Sequence, residues 1–267
     1  MAKREAPEIN AGSMADIAFL LLIFFLVTTT MDKDLAYLRK IPKKVEQPEN
    51  QPPVQKKNIY TIVINSKQAI KARDSVIRAD EIESLNGRIK HFYLVNRDKK
   101  TDRAKNYPYY AFGTIQLYSK NLTQSENKLE ALKAQEEKTD KIRKTIDQTY
   151  VMIEKWEEKL SMARLYKEYS GKREVPEIAF EAHIRLESFI DTDYSAYVAV
   201  QSEIQRAVTE LRDKEAEELF GITYTAMNKY YQQNINEDSA KLRDYRKKMD
   251  LIELLFPLRL IEVKPKR

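Results

Sequence analysis

One apolar stretch, from Met14 to Met31, limits what the whole chain can be. It reads MADIAFLLLIFFLVTTTM and is the only stretch in the sequence long enough to cross a bilayer. A spanning helix needs roughly 17–25 mostly apolar residues. The pattern therefore predicts a single transmembrane helix at residues 14–31 in contact with the lipid bilayer. A short tail, residues 1–13, precedes it, and a large polar remainder follows it.

A lone carboxylate, Asp16, lies near the start of this apolar stretch. An aspartate within a spanning helix costs on the order of 2.5–3.5 kcal/mol on insertion scales, and less near an end. An ionisable group inside a span is by default a functional candidate. The alternative is that Asp16 is an interfacial helix cap, because Ser13 and Asp16 both suit helix starts. The choice depends on where the bilayer begins.

The residues that flank the apolar stretch leave its orientation open. Lys3 and Arg4 precede it as in a signal peptide, but no Ala-x-Ala cleavage site follows, so an uncleaved anchor is expected. More Lys and Arg residues follow the stretch than precede it, which alone would favour a cytoplasmic domain. Long C-terminal domains can cross regardless of flanking charge, so this objection is weak.

The composition argues against several classes of function. The chain has 47 Lys and Arg against 41 Asp and Glu, and it shows no basic stripe with interleaved aromatic residues, so no nucleic acid partner is expected. It has no cysteine and only two histidines, His91 and His183, which argues against a metal site or a hydrolase triad. No phosphate-binding loop or nucleophile elbow is present, so we expect no enzyme and no cofactor.

The polar remainder begins with a tether and continues as a folded domain. Residues 32–57 contain four prolines among Lys, Gln and Glu and predict a semi-stiff tether. The first half of the domain, residues 58–98, begins with a β-branched strand at Ile59–Ile64 and a returning strand at Ala69–Ala72. Asp80 and Glu83 form a D-x-x-E capping box, which predicts a helix running to about Val95.

The second half of the domain, residues 172–267, alternates strands and helices. Every second residue from Ile178 to Leu186 is apolar, which predicts one strand with a solvated outer face. A long helix is predicted from Asp191–Asp193 to Gly221 and another within Asn228–Glu253. A last strand is predicted at Leu258–Val263. The fold class is therefore α+β, a sheet with helices against one face, although which strands form its edges stays open.

Between the halves, residues 99–171 are rich in Lys, Glu and Gln with widely spaced apolar residues. A heptad pattern comprises Ile142, Ile146, Thr149, Ile153, Trp156, Leu160 and Ala163, and a weaker one precedes it at Leu122, Leu129 and Leu132. The two patterns are out of phase, which favours an inserted, coiled-coil-like antiparallel hairpin over one long helix with a stammer. A surface that contacts another protein and a hairpin packed on its own domain are equally favoured.

The residues before the apolar stretch resemble the ExbD/TolR family of biopolymer transport proteins. They read INAGSMAD from Ile9 to Asp16, and the family has an Ile-Asn pair, five further residues and then the membrane aspartate. Weaker matching blocks follow in the expected order, at Ile41-Pro42, Ile59–Asn65, Tyr194–Gly221 and Phe256–Arg259. The insert of residues 99–171 departs from the ordinary family domain.

This resemblance implies a single-pass protein of the bacterial inner membrane, with a cytoplasmic N-terminus and a periplasmic C-terminal domain. It implies a homodimer inside a pentameric channel partner of the ExbB/TolQ type, driven by proton-motive force and acting on a TonB- or TolA-like protein. Asp16 takes the role of the proton-carrying group. The residues expected to contact the channel partner are Ile9, Asn10, Phe19, Ile23 and Leu26.

Overall fold

The computed structural model describes residues 19–23, 54–65, 67, 69–135, 139–237 and 239–266. The chain divides into two compact units, Met1–Pro52 and Pro53–Arg267. In the first unit, residues 19–23 are helical. Within the described ranges, no helix is both long enough and apolar enough to cross a membrane.

The second unit is built from seven strands and six α-helices within the described ranges. A short 3-10 helix at Lys56–Asn58 leads into the first strand, and another lies at Ala79–Glu81. In chain order the elements are β1 (Ile59–Ile64), β2 (Ile70–Ala72), β3 (Ser75–Ile77), α1 (Ser84–Leu94), β4 (Tyr110–Thr114), α2 (Ile115–Lys133), α3 (Asp140–Ser170), β5 (Glu174–Ile178), β6 (His183–Phe189), α4 (Tyr194–Phe220), α5 (Tyr224–Gln233), α6 (Ala240–Leu255) and β7 (Leu260–Lys266).

A five-stranded sheet with the order β3-β2-β1-β6-β7 forms the centre of this unit. β1, β2 and β3 pair antiparallel, whereas β1, β6 and β7 are parallel. Alternate residues of β1, namely Tyr60, Ile62 and Ile64, are buried in a core that also contains the apolar faces of α1 and α4. The sheet with packed helices confirms the predicted α+β class.

The first half of the domain follows its sequence pattern up to the start of the helix. β1 has the predicted bounds, and β2 returns from it as predicted, but β3 was not predicted. The capping box predicted at Asp80 and Glu83 is wrong. The 3-10 helix uses Asp80, and α1 begins only at Ser84, with Glu83 at its N-cap position and no side-chain cap. The chain therefore forms a 3-10 helix before the α-helix begins, which the sequence pattern did not predict.

The single strand predicted from Ile178 to Leu186 is wrong, because the chain turns within it. β5 ends at Ile178 and β6 begins at His183, and Phe180 in the turn is 77% exposed. Arg259 Nη1 donates hydrogen bonds of 2.9 Å to the carbonyl oxygens of both Ala179 and Phe180. A distant side chain thus stabilises a turn that the alternating pattern conceals.

The predicted long helix is confirmed as α4, with both of its ends set by local chemistry. The Asp193 side chain caps its N-terminus by accepting from the Ser195 backbone N–H, and Gly221 adopts a left-handed φ of 67° at its end. The helix predicted within Asn228–Glu253 is instead two helices, because Ser239 caps a new start at α6. The last strand begins at Leu260 rather than Leu258.

The inserted segment is an antiparallel helical hairpin, as predicted. Lys133 near the end of α2 lies over the ring of Tyr150, whereas Tyr118 near its start stacks on Trp156, further along α3. The sequence did not predict that β4 pairs antiparallel with β5 in a separate two-stranded sheet, with Thr114 opposite Glu174. This two-stranded sheet forms the base of the hairpin. The domain boundaries assigned from the sequence remain predictions.

Candidate functional site

Most of the site predicted from the sequence lies outside the described residues. Asp16, the predicted proton-carrying group, lies there, as do Ile9, Asn10 and Leu26. Phe19 and Ile23 lie at the two ends of the helical segment, and their spacing of four residues places them on one helix face. Their side chains are 62% and 41% exposed, respectively. Each of the five residues 19–23 is apolar and exposed.

Within the folded unit, a shielded ion pair joins the end of α1 to α4. The Arg97 guanidinium donates two hydrogen bonds, of 2.8 and 2.7 Å, to the Glu215 carboxylate. Arg97 also lies 4.6 Å from the ring centroid of Phe256. Burial alone lowers the pKa of Arg97, but hydrogen bonds and charge attraction from Glu215 outweigh it and raise that pKa. Arg97 therefore stays charged, and its two hydrogen bonds hold the segment after α1 against α4.

Two buried tyrosines extend this connection across the core. The Tyr93 hydroxyl donates to the Pro257 carbonyl oxygen at 2.8 Å, and the Tyr110 hydroxyl donates to the Tyr93 carbonyl oxygen at 2.7 Å. Burial raises the pKa of Tyr93 to about 12. These bonds join α1, β4 and the segment before β7.

A polar cluster attaches the helical hairpin to its base. The Glu177 carboxylate on β5 accepts hydrogen bonds from Tyr118 on α2 and from Lys159 on α3. Burial, followed by the hydrogen bond and charge of Glu177, raises the pKa of Tyr118. The Tyr118 ring stacks on Trp156, with ring centroids 6.2 Å apart. Both helices of the hairpin are therefore anchored to one carboxylate of the two-stranded sheet.

The two halves of the hairpin differ in what they contact. Near the base, Leu160, Met162, Ala163 and Tyr166 belong to the main hydrophobic core. Along described residues 123–152, only Leu129 and Thr149 are buried. The same part of α3 exposes three consecutive apolar side chains, Tyr150, Val151 and Met152. The hairpin therefore both packs on its own domain and presents a free outer half, which the heptad pattern alone did not distinguish.

The sheet order fixes which strands have free edges. β1 lies at the centre, between β2 and β6, and is not an edge open to a partner strand. β3 and β7 lie at the two edges of the five-stranded sheet. β3 has only three residues, whereas β7 has seven. In the described part of the chain, no group of three or more His, Asp or Glu side chains is arranged to hold a metal ion.

The family model of the biopolymer transport protein ExbD/TolR matches residues 2–212. The match covers Asp16, the apolar stretch and the whole insert, and ends within α4. The block at Phe256–Arg259 lies beyond it. No curated protein and no solved structure matches the chain. Because the family model covers 211 of the 267 residues, from 2 through 212, the chain belongs to the ExbD/TolR family of biopolymer transport proteins.

Proposed function

We propose that this chain is the motor subunit, driven by proton-motive force, of an inner-membrane complex of the ExbB-ExbD or TolQ-TolR type. The observation that carries the proposal is Asp16 near the start of the Met14–Met31 apolar stretch, in a chain that belongs to the ExbD/TolR family. The family generally works with ExbB- or TolQ-type and TonB- or TolA-type proteins. The chain is a biopolymer transport component in which Asp16 carries the proton.

In this mechanism, the Asp16 carboxyl alternates between its charged and neutral forms as protons pass. Each change alters how favourably the helix sits against polar groups of the surrounding channel, because a charge is costly in the apolar part of a membrane. Ile9, Asn10, Phe19, Ile23 and Leu26 contact the channel partner, and the chain acts as a homodimer. Its C-terminal domain lies in the periplasm.

The folded unit supports this proposal because it can transmit force as one body. The Arg97–Glu215 pair and the Tyr93 hydroxyl bond connect α1 and α4 to the segment before β7. Motion that enters at residues 54–58 reaches the sheet directly, since β1 begins at Ile59 and lies at the sheet's centre. The work is then done on a TonB- or TolA-like protein that serves outer-membrane transport.

The test compares wild type, Asp16→Asn and Asp16→Glu in an outer-membrane uptake assay that depends on proton-motive force. Asp34→Asn is the matched control, because it removes the same charge just beyond the apolar stretch. We expect Asp16→Asn to abolish uptake at normal membrane abundance, Asp16→Glu to retain part of it, and Asp34→Asn to retain it fully. Full uptake with Asp16→Asn would overturn the proposal.

A second candidate function is a membrane-anchored periplasmic scaffold that acts through its helical hairpin. Three exposed apolar side chains on the outer half of the hairpin favour it, namely Tyr150, Val151 and Met152. In that case Asp16→Asn is silent, and function is lost instead through changes on the hairpin, at Ile146, Ile153 or Trp156. The same uptake assay distinguishes the two candidates. The second readout is whether each variant still forms the full membrane complex.

A further inference from the structure

An open cleft of about 790 Å³ lies where the helical hairpin meets its two-stranded base. Its apolar lining comes from Phe112 on β4, Ile115 at the start of α2, Tyr166 on α3 and Pro176 on β5. Tyr166 and Pro176 are buried, so they form a floor rather than a rim. Most of the cleft belongs to the inserted segment and the two strands that flank it.

Three cations surround this floor. They are Lys167 near the end of α3, and Lys172 and Arg173 in the connection to β5. All three side chains are exposed, and none forms an ion pair with a carboxylate in the described part of the chain. A fourth cation, Lys100, pairs with Glu174 at 2.6 Å, which leaves Asp98 as the other lining carboxylate. The lining thus carries four cations against two acids.

The backbone holds two of these cations in place. Gly171 adopts a left-handed φ of 69° at the end of α3, which turns the chain sharply towards β5. The Ser170 hydroxyl oxygen accepts a hydrogen bond of 3.1 Å from the Lys172 backbone N–H. Glu174 then enters β5 opposite Thr114. Lys172 and Arg173 therefore project from a short segment that is fixed at both ends.

We propose that this cleft binds an extended acidic segment of a protein partner. An apolar floor bordered by an excess of cations suits an extended peptide that carries both apolar and acidic side chains, because apolar burial and charge attraction then act together. Lys167, Lys172 and Arg173 bind the carboxylates, with Arg173 able to form a two-bond contact. Phe112, Ile115 and Pro176 receive the apolar side chains. This site does not depend on Asp16 or on the proposed motor function.

The test measures fluorescence anisotropy of a fluorescein-labelled octapeptide of alternating glutamate and isoleucine, titrated with the full chain in detergent micelles. A second peptide replaces every glutamate with glutamine. We expect the acidic peptide to bind at least about tenfold more tightly than the glutamine peptide, and its affinity to fall as salt is added. Equal affinity for both peptides would overturn the proposal.

Variants locate the binding within the molecule. Lys172→Gln combined with Arg173→Gln is expected to weaken binding of the acidic peptide at least about tenfold. The matched control, Lys120→Gln with Lys128→Gln, removes the same charge from exposed positions of α2 that do not line the cleft. Equal losses in the two double variants would show non-specific attraction and overturn the site. Competition by inorganic phosphate as strong as by unlabelled acidic peptide would overturn the peptide assignment.

Discussion

Arg97 and Glu215, which lie 118 residues apart in sequence, form a two-bond ion pair at 2.8 and 2.7 Å. Their side chains are only 12% and 11% exposed, so the pair is largely shielded from water. Removing one member of a shielded pair leaves the other charge without compensation, whereas replacing both members with apolar groups can be nearly neutral. The contact of α4 with the segment just after α1 therefore responds differently to single and double substitutions.

We expect Arg97→Met to lower the free energy of unfolding by about 3 kcal/mol or more. Arg97→Met combined with Glu215→Leu is expected to cost less than Arg97→Met alone. Lys214→Gln is the control, since Lys214 and Glu218 are well exposed and 3.9 Å apart, and its effect should stay below about 0.5 kcal/mol. Urea unfolding of the full chain in detergent measures all three, and a double variant less stable than Arg97→Met alone would contradict this account.

Gly113 sits against the tyrosine that anchors the hairpin, and a side chain there has no room. A Cβ atom added to Gly113 would overlap the Tyr118 hydroxyl oxygen, which is held by Glu177. We expect Gly113→Ala to displace Tyr118 and to cost about 1–3 kcal/mol, the usual range for an overpacked site. Hydrogen exchange should rise at the start of α2 and in the facing part of α3.

Gly87→Ala is the matched control for this substitution. Gly87 lies inside α1, and a Cβ atom there meets nothing within 4 Å. Alanine favours a helix over glycine by roughly 0.5–1 kcal/mol, so this variant should be slightly more stable than wild type. If Gly113→Ala proved as stable as Gly87→Ala, the close contact with Tyr118 would not limit this position.

Tyrosines that are buried or half-buried make stability sensitive to alkaline pH. Burial is the largest cause that raises the pKa of Tyr60, Tyr93 and Tyr224 to about 12. In the unfolded chain these hydroxyls ionise near pH 10. Their contribution is complete below pH 10 and is lost as the pH rises to about 12, because only the unfolded state releases protons in that window. In that window, each group lowers the free energy of unfolding by up to about 1.4 kcal/mol per pH unit.

This loss is measured by urea unfolding between pH 9 and pH 12, with tyrosinate absorbance as the second signal. We expect Tyr60→Phe to reduce the pH dependence, since it removes one raised pKa. Tyr150→Phe is the matched control, because it removes the same hydroxyl group from a side chain that is 47% exposed. An identical pH dependence in wild type and Tyr60→Phe would contradict the role assigned to Tyr60.

Local patterns predicted the elements whose ends are set by nearby residues. β1 followed from its β-branched run, and α4 from Asp193 and Gly221 at its two ends. The turn at residues 179–182 escaped prediction because the apolar alternation continued through it, while its stabilising contact comes from Arg259. Strand β4 escaped because its partner, β5, follows only after the whole hairpin.

A candidate site with a local signal could likewise be predicted from the sequence, whereas sites built from distant residues could not. Asp16 stood out because an apolar stretch surrounds it, and its role remains a prediction. The anchor of the hairpin could not be predicted, since Tyr118 and Glu177 lie 59 residues apart and neither has a local signal. The cleft likewise combines residues near positions 98–100, 112–116, 166–167 and 172–176. Only the folded chain brings these segments together.

The outer half of the hairpin is expected to be dispensable for the fold. Among the described residues, replacing 124–152 with a short glycine-asparagine loop that joins Thr123 to Ile153 removes two buried ones, Leu129 and Thr149. The Tyr118–Trp156 stack and the contacts of Glu177 remain. We expect the melting temperature of the full chain in detergent to fall by no more than about 5 °C, because little core burial is lost.

The control for this deletion is Tyr166→Ala, which changes the base of the hairpin instead. Tyr166 is 2% exposed and belongs to the main core, so its truncation should cost about 3–5 kcal/mol, the range for a large buried aromatic residue. Differential scanning fluorimetry compares the two variants under one condition. A larger loss from the deletion than from Tyr166→Ala would mean that the outer half of the hairpin stabilises the domain, contrary to the burial pattern.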